Sequence, residues 1–517
     1  MKKWLLPLGI ILFVHVAAAA IWMRYNLHDR FPDADINLDI RPAAVGPLRA
    51  GFAKVDISPD LPDTWIDVNG DARFDEKDGD TWTDGNGNGK FDASWLAGFH
   101  KHRPAVGIHD SLWARAMILD DGQTRLALVV LDAIGFGHDD VLRVRARIPQ
   151  NLNLAYVSVI STHTHEAPDL VGLWGPGTFR SGVDPAYMEK VIAGAARAVE
   201  KAVTALRPAR LQVAQDLEGA IPLVGDTRKP EVLDPGLRLI RAIDAEADTT
   251  LGSLLAWANH PETLWSRNLL ISSDFPHYFR EGVEKGVYSG DSLVAPGIGG
   301  IAVYLNGAIG GLMTTHPKMG VADPFADTTY FEPGYDKVRA QGDQLALLAL
   351  AALHKHAETI ESDGIRLRAK TIHLPLGNKL FQLAAALGVL DRGMSKWMTM
   401  RTEIAAWTLG PLSFMQVPGE IYPEIVNGGI EAPEGRDFPI EALEVPPLRS
   451  QMPGKYQFVI GLANDLIGYI IPRSEWDEKA PFLYGESDSP YGEINSVGPE
   501  TAPLIYGAML ELLEEIE

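Results

Sequence analysis

The chain has 517 residues, of which 46% are hydrophobic and 22% are charged, so it can bury a large core in one big domain or two closely packed ones. Its net charge of −22 opposes attraction to nucleic-acid phosphates and argues against a nucleic-acid partner. The sequence contains no cysteine, which excludes disulfides and thiolate metal sites, so any transition metal must be held by histidine, carboxylate or tyrosine.

The N-terminus has the pattern of an export signal. Lys2 and Lys3 precede an apolar run from Trp4 to Trp22, whose length lies between that of a signal peptide and that of a spanning helix. We therefore predict that residues 1–25 are a signal peptide or a membrane anchor. The protein is expected to be exported, and either anchored facing the periplasm or cell exterior or, if the signal is cleaved, secreted. Residues 26–50 are largely polar and contain prolines, which predicts a linker.

Two repeats rich in Asp and Asn lie within residues 65–95. Each places oxygen side chains at positions one, three, five and nine, with glycines between them, which is the spacing of a calcium-binding loop. The predicted Ca²⁺ ligands are Asp67, Asn69, Asp71, Asp75 and Asp78 in the first copy and Asp84, Asn86, Asn88 and Asp92 in the second. Neither copy has a glutamate at position twelve, so we expect weak, structural sites. The alternative is a pair of solvated turns.

The remainder of residues 51–517 alternates two patterns. Apolar, β-branched runs predict strands at Leu126–Leu131, Leu154–Ile160, Leu251–Trp257, Ile301–Leu305, Leu412–Val417 and Phe458–Leu462. Apolar residues at helical spacing predict helices at Ala186–Leu206 and Gln341–Glu358. This alternation predicts an α/β domain of enzyme size.

Side chains suited to a metal follow several of these runs. His163 and His165 come directly after the run that ends at Ile160, and side chains two apart on an extended chain share a face. His260, Glu420 and Tyr469 also stand near the ends of apolar runs, where scaffolds commonly present functional groups. For any one of these residues taken alone, packing or capping explains its position as well.

The order of several separated motifs resembles the neutral/alkaline (non-lysosomal) ceramidases, from about Gly51 to the C-terminus. The motifs are Lys54–Pro59, Arg115–Leu119, Ser161–Pro168, Asn259–His260, Ile271–Asp274, Pro418–Glu420 and Gly468–Tyr469. The resemblance implies an α/β fold with a large mixed sheet and one catalytic zinc near strand ends. It also implies hydrolysis of the amide bond of N-acylsphingosine.

Carried over residue by residue, the resemblance implies that Zn²⁺ is held by His163, His260, Glu420 and Tyr469. His165 would then lie beside the metal and hydrogen-bond the substrate or a tetrahedral intermediate. The resemblance also implies that Tyr484 lies near the tyrosine that assists the zinc site in the family, and a packing role for Tyr484 is the equal alternative. Asp132 and Asp274 are candidates for orienting the ligand imidazoles, and both could equally be caps or turn residues.

The chain departs from the family pattern in two places. The ceramidases carry a reactive serine in an Asn-Gly-Asp-Val-Ser-Pro segment, whereas Gly310 stands at that position here, with Thr314 and Thr315 four and five residues further on. Glycine can neither give a proton nor accept an acyl group, so we expect direct attack by zinc-activated water. The C-terminal β-sandwich of full-length ceramidases is also expected to be absent.

These observations predict a zinc-dependent hydrolase that cleaves the amide of an N-acyl sphingolipid or a related N-acyl amphiphile. The alternative is a non-catalytic lipid-binding or assembly module that keeps the zinc scaffold. The apolar stretch Phe381–Met400 fits either ordinary helix packing or a surface that receives lipid, on the membrane or in a groove.

Overall fold

Two β-sheets lie face to face, and helices cover their outer surfaces. The computed structural model describes residues 2–313 and 319–516, with side chains from residue 10 onward. Thr314 and Thr315 lie outside the described residues.

The larger sheet is mixed and has nine strands in the described part of the chain. Its neighbours follow the order Ile301–Leu305, Thr250–Ala256, Leu237–Asp244, Arg207–Asp216, Arg49–Asp56, Trp113–Asp120, Arg125–Leu131 and Tyr156–Ser161, and Glu358–Ile360 also pairs with Arg207–Asp216. The first pair and the last pair in this order are parallel, and the others are antiparallel.

The second sheet has five strands in the order Asn37–Ile40, Ile365–Pro375, Thr399–Leu409, Leu412–Gln416 and Tyr456–Ile460. Short two-stranded pairings complete the β-structure: Thr64–Ile66 with Thr81–Thr83, Gly107–Ile108 with Leu270–Ile271, Gly225–Asp226 with Leu312–Met313, Gly286–Ser289 with Ser292–Pro296, Val321–Ala322 with Thr329–Tyr330, and Glu420–Ile421 with Tyr469–Ile470.

The helices are α1 Lys2–Asn26, α2 His138–Arg147, α3 Pro185–Thr204, α4 Phe275–Lys285, α5 Tyr335–His356, α6 Lys379–Leu387, α7 Pro423–Asn427, α8 Leu448–Gln451, α9 Tyr491–Ile494 and α10 Thr501–Ile516. Several begin at recognisable signals. Asp184 caps α3, Asn378 caps α6, and both accept hydrogen bonds from the first-turn amides.

The layering follows from alternate side chains along each strand, because successive residues point to opposite faces. Leu128 and Val130 pack between the sheets with Trp407, while Ala127 and Val129 pack outward against α3. Helices α4 and α5 cover another part of the same outer face, and α10 covers the second sheet. Both faces of Arg125–Leu131 and Tyr156–Ser161 are buried, which is why the sequence shows continuous apolar runs there.

The segment 26–50, which was predicted as a linker, contains a strand and makes contacts with the domain. Asn37–Ile40 pairs antiparallel with residues 367–370 of the second sheet, and Arg401 bonds both Asp29 and Asp35. The strand was missed because it is short and only half-buried, so its apolar signal is weak.

The α/β class and the large mixed sheet expected from the sequence are confirmed. Among the helices that the structure describes, none combines the length and the apolarity that crossing a membrane requires.

Candidate metal centre

The loop that carries His163 and His165 leaves the last strand of the large sheet. His163 follows that strand by two residues and has φ = 71°, an unusual conformation for a residue other than glycine. Its amide donates to Ala133 O at 2.9 Å, and the amide of His165 donates to Pro261 O at 3.0 Å. The strained backbone therefore turns both imidazoles toward the loop that contains His260.

The other three candidate ligands lie on two separate parts of the fold. Glu420 and Tyr469 are direct partners in a short parallel strand pairing, which sets their side chains side by side. His260 follows the strand Thr250–Ala256. Asn306 ties the two histidine loops together, because its Nδ2 donates to Thr162 O and Asn259 O at 3.0 Å each.

These side chains converge on one small volume. His260 Nε2 lies 3.0 Å from Glu420 Oε2 and 3.4 Å from the Tyr469 hydroxyl. His163 Nε2 lies 3.5 Å from Glu420 Oε2 and 3.3 Å from His165 Nε2. All five residues are buried. The structure thus brings together the five residues that the sequence nominated.

Backbone carbonyls orient two of the imidazoles. His163 Nδ1 donates to Ile134 O at 2.6 Å, and His260 Nδ1 donates to Leu312 O at 2.8 Å. A neutral imidazole that donates from Nδ1 keeps the lone pair of Nε2 available, so both Nε2 atoms are set up as ligands.

The two aspartates considered for that orienting role have other partners. Asp132 forms two hydrogen bonds with Arg280, and Asp274 caps α4 through the amide of Phe275. Sequence patterns do not reveal backbone acceptors such as Ile134 O and Leu312 O, which is why the orienting groups were not identified.

His165 has its own carboxylate neighbour. Its Nδ1 lies 3.2 Å from Glu262 Oε2, and Phe99 packs edge-on against its ring. A Cβ at Gly98 would lie 2.5 Å from the ring, so a glycine is required for this close approach. Glu262 was missed in the sequence because it stands in a loop with no periodic signal.

The electrostatics of the cluster favour a cation. Burial alone would raise the pKa of Glu420, yet the positive charges and hydrogen bonds of His163 and His260, when these rings are protonated, hold it far below its ordinary value. A metal ion bound by the two Nε2 atoms would supply that positive charge in place of the protons. Burial and the charges of His163 and His260 lower the pKa of His165 well below its ordinary value. Burial and the negative charge of Glu420 raise the pKa of Tyr469. Glu420 is thus a carboxylate, His165 is a neutral imidazole, and Tyr469 is a phenol that needs a nearby cation to ionise. Groups of these kinds are suited to a metal site.

An apolar cavity opens onto this cluster. His163, His165, Glu420 and Tyr469 are among the polar residues that line it, together with Arg392 and Asn495. The remaining wall is mostly apolar and includes Val171, Leu173, Trp174, Phe381, Leu390, Met400, Leu466 and Val497. An apolar chain attached to a polar group would therefore have its polar end at the donors.

Position 310 has no room for a side chain. A Cβ built on Gly310 would lie 2.1 Å from Tyr422 Cδ1 and 3.0 Å from Tyr422 Cα. Arg228 packs over the Tyr422 ring at 3.5 Å and bonds both oxygens of Glu424, which holds that ring in place. The Tyr422 side chain therefore occupies the space that a serine side chain at position 310 would need.

The two tyrosines near the site occupy different places. Tyr484 is about half exposed and donates to Glu431 Oε2 at 2.7 Å, and the structure does not bring it to the histidines. Tyr491, which sequence reasoning did not single out, lines the apolar cavity with its ring centre 6.0 Å from that of Tyr469.

The Asp- and Asn-rich loops satisfy many of their oxygens internally. Asp67 accepts from the amides of Gly70 and Ala72, and Asp84 accepts from those of Gly87 and Gly89. In the described parts of the chain, the three histidines are the only set of at least three His, Asp or Glu ligand atoms close enough to share an ion. Calcium binding by these loops stays a prediction.

The architecture is that of a neutral ceramidase-like fold. The crystal structure of neutral ceramidase from Pseudomonas aeruginosa matches with a TM-score of 0.63 at 17% identity, covering 90% of this chain and 74% of that chain. A ceramidase complexed with C2 matches with a TM-score of 0.62 at 16% identity, covering 90% of this chain and 75% of that one. No family model and no curated protein matches the sequence. The likeness shows the fold, and the activity has to be argued from the site.

Proposed function

We propose that the chain is a zinc-dependent hydrolase that cleaves the amide bond of an N-acyl sphingolipid or a related N-acyl amphiphile. The observation that carries this proposal is the convergence of His163, His260, Glu420 and Tyr469, with His165 beside them, at the wall of a mostly apolar cavity. The fold likeness to ceramidases supports the substrate class.

The donor spacing fits zinc. Zn²⁺ binds nitrogen and oxygen at about 2.0–2.1 Å, so neighbouring ligand atoms of a tetrahedral site are roughly 3.3 Å apart. The distances of 3.0, 3.4 and 3.5 Å from His260 to Glu420, from His260 to Tyr469 and from His163 to Glu420 bracket this value. His163, His260, Glu420 and Tyr469 would hold the ion.

Zinc bound there would polarise the amide carbonyl and lower the pKa of water to about 7. The chain's own residues do the rest. His165, whose Nδ1 lies 3.2 Å from Glu262 Oε2, lines the same cavity and can hydrogen-bond the amide or the tetrahedral intermediate. Position 310 supplies neither a hydroxyl nor space for one, so we assign the role of nucleophile to water and not to a serine.

We also propose that the protein is exported from the cytoplasm. The basic residues and the apolar run at the start of the chain are typical of export, either with residues 1–25 retained as a membrane anchor or removed to give a secreted protein. A lipid-like substrate is compatible with both. Mass spectrometry of the mature N-terminus separates them.

We further propose Ca²⁺ for the loops within residues 65–95, on the strength of their repeated ligand spacing. Titration of the purified chain with Ca²⁺ should raise its thermal stability. Asp67→Asn with Asp84→Asn should remove that gain, and an unchanged midpoint in the wild type would contradict the assignment.

Hydrolysis tests the main proposal. The full chain in detergent should release fatty acid from N-acylsphingosine, and chelation or Glu420→Gln should reduce the rate at least about a hundredfold. His356→Ala, which changes an exposed histidine at the end of α5, is the matched control and should keep the wild-type rate. Lipid binding without turnover across amide, ester and phosphoester panels would instead favour the non-catalytic module.

A further inference from the structure

Helix α6 contributes to the wall of the apolar cavity. Phe381 lines the cavity that ends at His163, and Leu390 lines it just beyond the helix. Leu380, Leu383 and Leu387 stand at helical spacing, and 65%, 48% and 39% of their surfaces are exposed. The helix therefore carries apolar side chains on its outer face as well as against the cavity.

Helix α1 lies directly beside this outer face. Trp22 Nε1 donates to Leu387 O at 3.3 Å, and Asn26 Nδ2 donates to Ala386 O at 2.9 Å. The described part of α1 exposes Ile, Leu, Phe and Val side chains between residues 10 and 16, and Ile21 and Trp22 after them. The exposed leucines of α6 thus continue an apolar surface that belongs to a second helix.

The residues around the exposed leucines of α6 have the composition of a membrane interface. Trp397 is 70% exposed and follows the exposed Lys396, while the exposed Lys379 begins the helix. Tryptophan and lysine beside apolar side chains are typical of helices that lie in the headgroup region, where lysine reaches back to water. The net charge of −22 disfavours an anionic surface, so an uncharged bilayer fits best.

We propose that Leu380, Leu383, Leu387 and Trp397, called here the α6 face, dock on an uncharged lipid bilayer. Docking there sets the wall of the apolar cavity against the membrane, so that a lipid substrate reaches the donors without crossing water. The docking surface itself stands on the exposed side chains, and its use for substrate entry rests on the proposed function.

The absence of cysteine allows a direct test. Leu383→Cys in the full chain is labelled with an environment-sensitive dye and reconstituted into phosphatidylcholine vesicles. Leu293→Cys, an equally exposed leucine in the strand Ser292–Pro296, is the control. Unchanged unfolding midpoints verify that both labelled proteins keep the native fold.

The label at 383 should shift to shorter emission wavelengths and become at least about tenfold less accessible to aqueous iodide, while the label at 293 stays in water. A water-like label at 383 would overturn the proposal. So would protection that disappears when vesicles hold at most one chain, because the covering surface would then be a second copy. The readout needs no turnover, so it succeeds or fails independently of the hydrolase assignment.

Discussion

Tyr469 is the donor whose role depends most on a bound cation. Its hydroxyl lies 3.4 Å from His260 Nε2, and burial with the charge of Glu420 raises its pKa, so without a cation it stays a neutral phenol. A divalent ion at the same point reverses that balance, because its charge stabilises the phenolate.

Tyr469→Phe should therefore weaken zinc retention by at least about tenfold, since it removes one donor and leaves the ring in place. Tyr491→Phe is the matched control. Tyr491 lines the same cavity and its ring packs edge-on against that of Tyr469, but it is not one of the proposed ligands. Competition with a coloured chelator measures both affinities. Equal affinities for wild type and Tyr469→Phe would remove this residue from the ligand set.

Gly310 stands where the resemblance to the ceramidases predicts a reactive serine. Restoring the hydroxyl with Gly310→Ser should fail to raise activity and should lower the free energy of unfolding by about 1–3 kcal/mol, because the new Cβ meets the Tyr422 ring. Gly177→Ser, where a Cβ would meet nothing within 4 Å, should be close to neutral. Urea titrations and rate assays give both values, and a faster Gly310→Ser enzyme would contradict the assignment of water as nucleophile.

At the scale of elements, Arg401 fastens the N-terminal segment to the second sheet. Its guanidinium forms two bonds of 2.9 Å with Asp29 and one of 2.6 Å with Asp35. The hydrogen bonds from Arg401 lower the pKa of Asp29 below its ordinary value. A carboxyl with a lowered pKa stabilises the fold at higher pH, and this contribution is lost as the pH falls through the lowered value.

Acidification below about pH 4 should release the strand Asn37–Ile40, and Arg401→Gln should release it already at pH 6. Hydrogen exchange read by mass spectrometry, corrected for intrinsic rates, measures the release. Arg366→Gln, which removes an exposed pair with Asp363, should change nothing in this strand. Equal protection in Arg401→Gln and wild type would show that the strand is held by its backbone alone.

The sequence predicts most of the large elements and much less of their surroundings. The strand Ile301–Leu305 was predicted with its observed bounds, and helix α3 within two residues at each end, because both carry long apolar patterns. The four proposed ligands and His165 were nominated through their motifs. Glu262, the carbonyls of Ile134 and Leu312, and the bridging Asn306 act through contacts distant in sequence, which no local pattern contains.

At the scale of the whole molecule, a single apolar layer holds the two sheets together. Trp407 stacks on Phe414 with ring centres 3.5 Å apart, and Phe414 stacks on Phe458 at 4.7 Å. The large sheet contributes residues such as Leu128 and Ile240 to the same layer. Each sheet buries the apolar side chains of its inner face against the other sheet, so we expect the two sheets to unfold together.

Trp407→Ala should lower the stability of the whole chain by about 3–5 kcal/mol, and circular dichroism should still follow one transition in urea. Ile66→Ala removes a side chain that is 64% exposed and should have little effect. Two separated transitions in Trp407→Ala would contradict the view that the sheets share one core.

The central claim is that the convergent donors form a zinc site. Elemental analysis of the purified full chain should find about one zinc per chain, and the His163→Ala/His260→Ala variant should hold none. The variant His354→Ala/His356→Ala, which changes two exposed histidines of α5, should keep the wild-type content. Zinc absent from the wild type, or unchanged when His163 and His260 are replaced, would contradict the account.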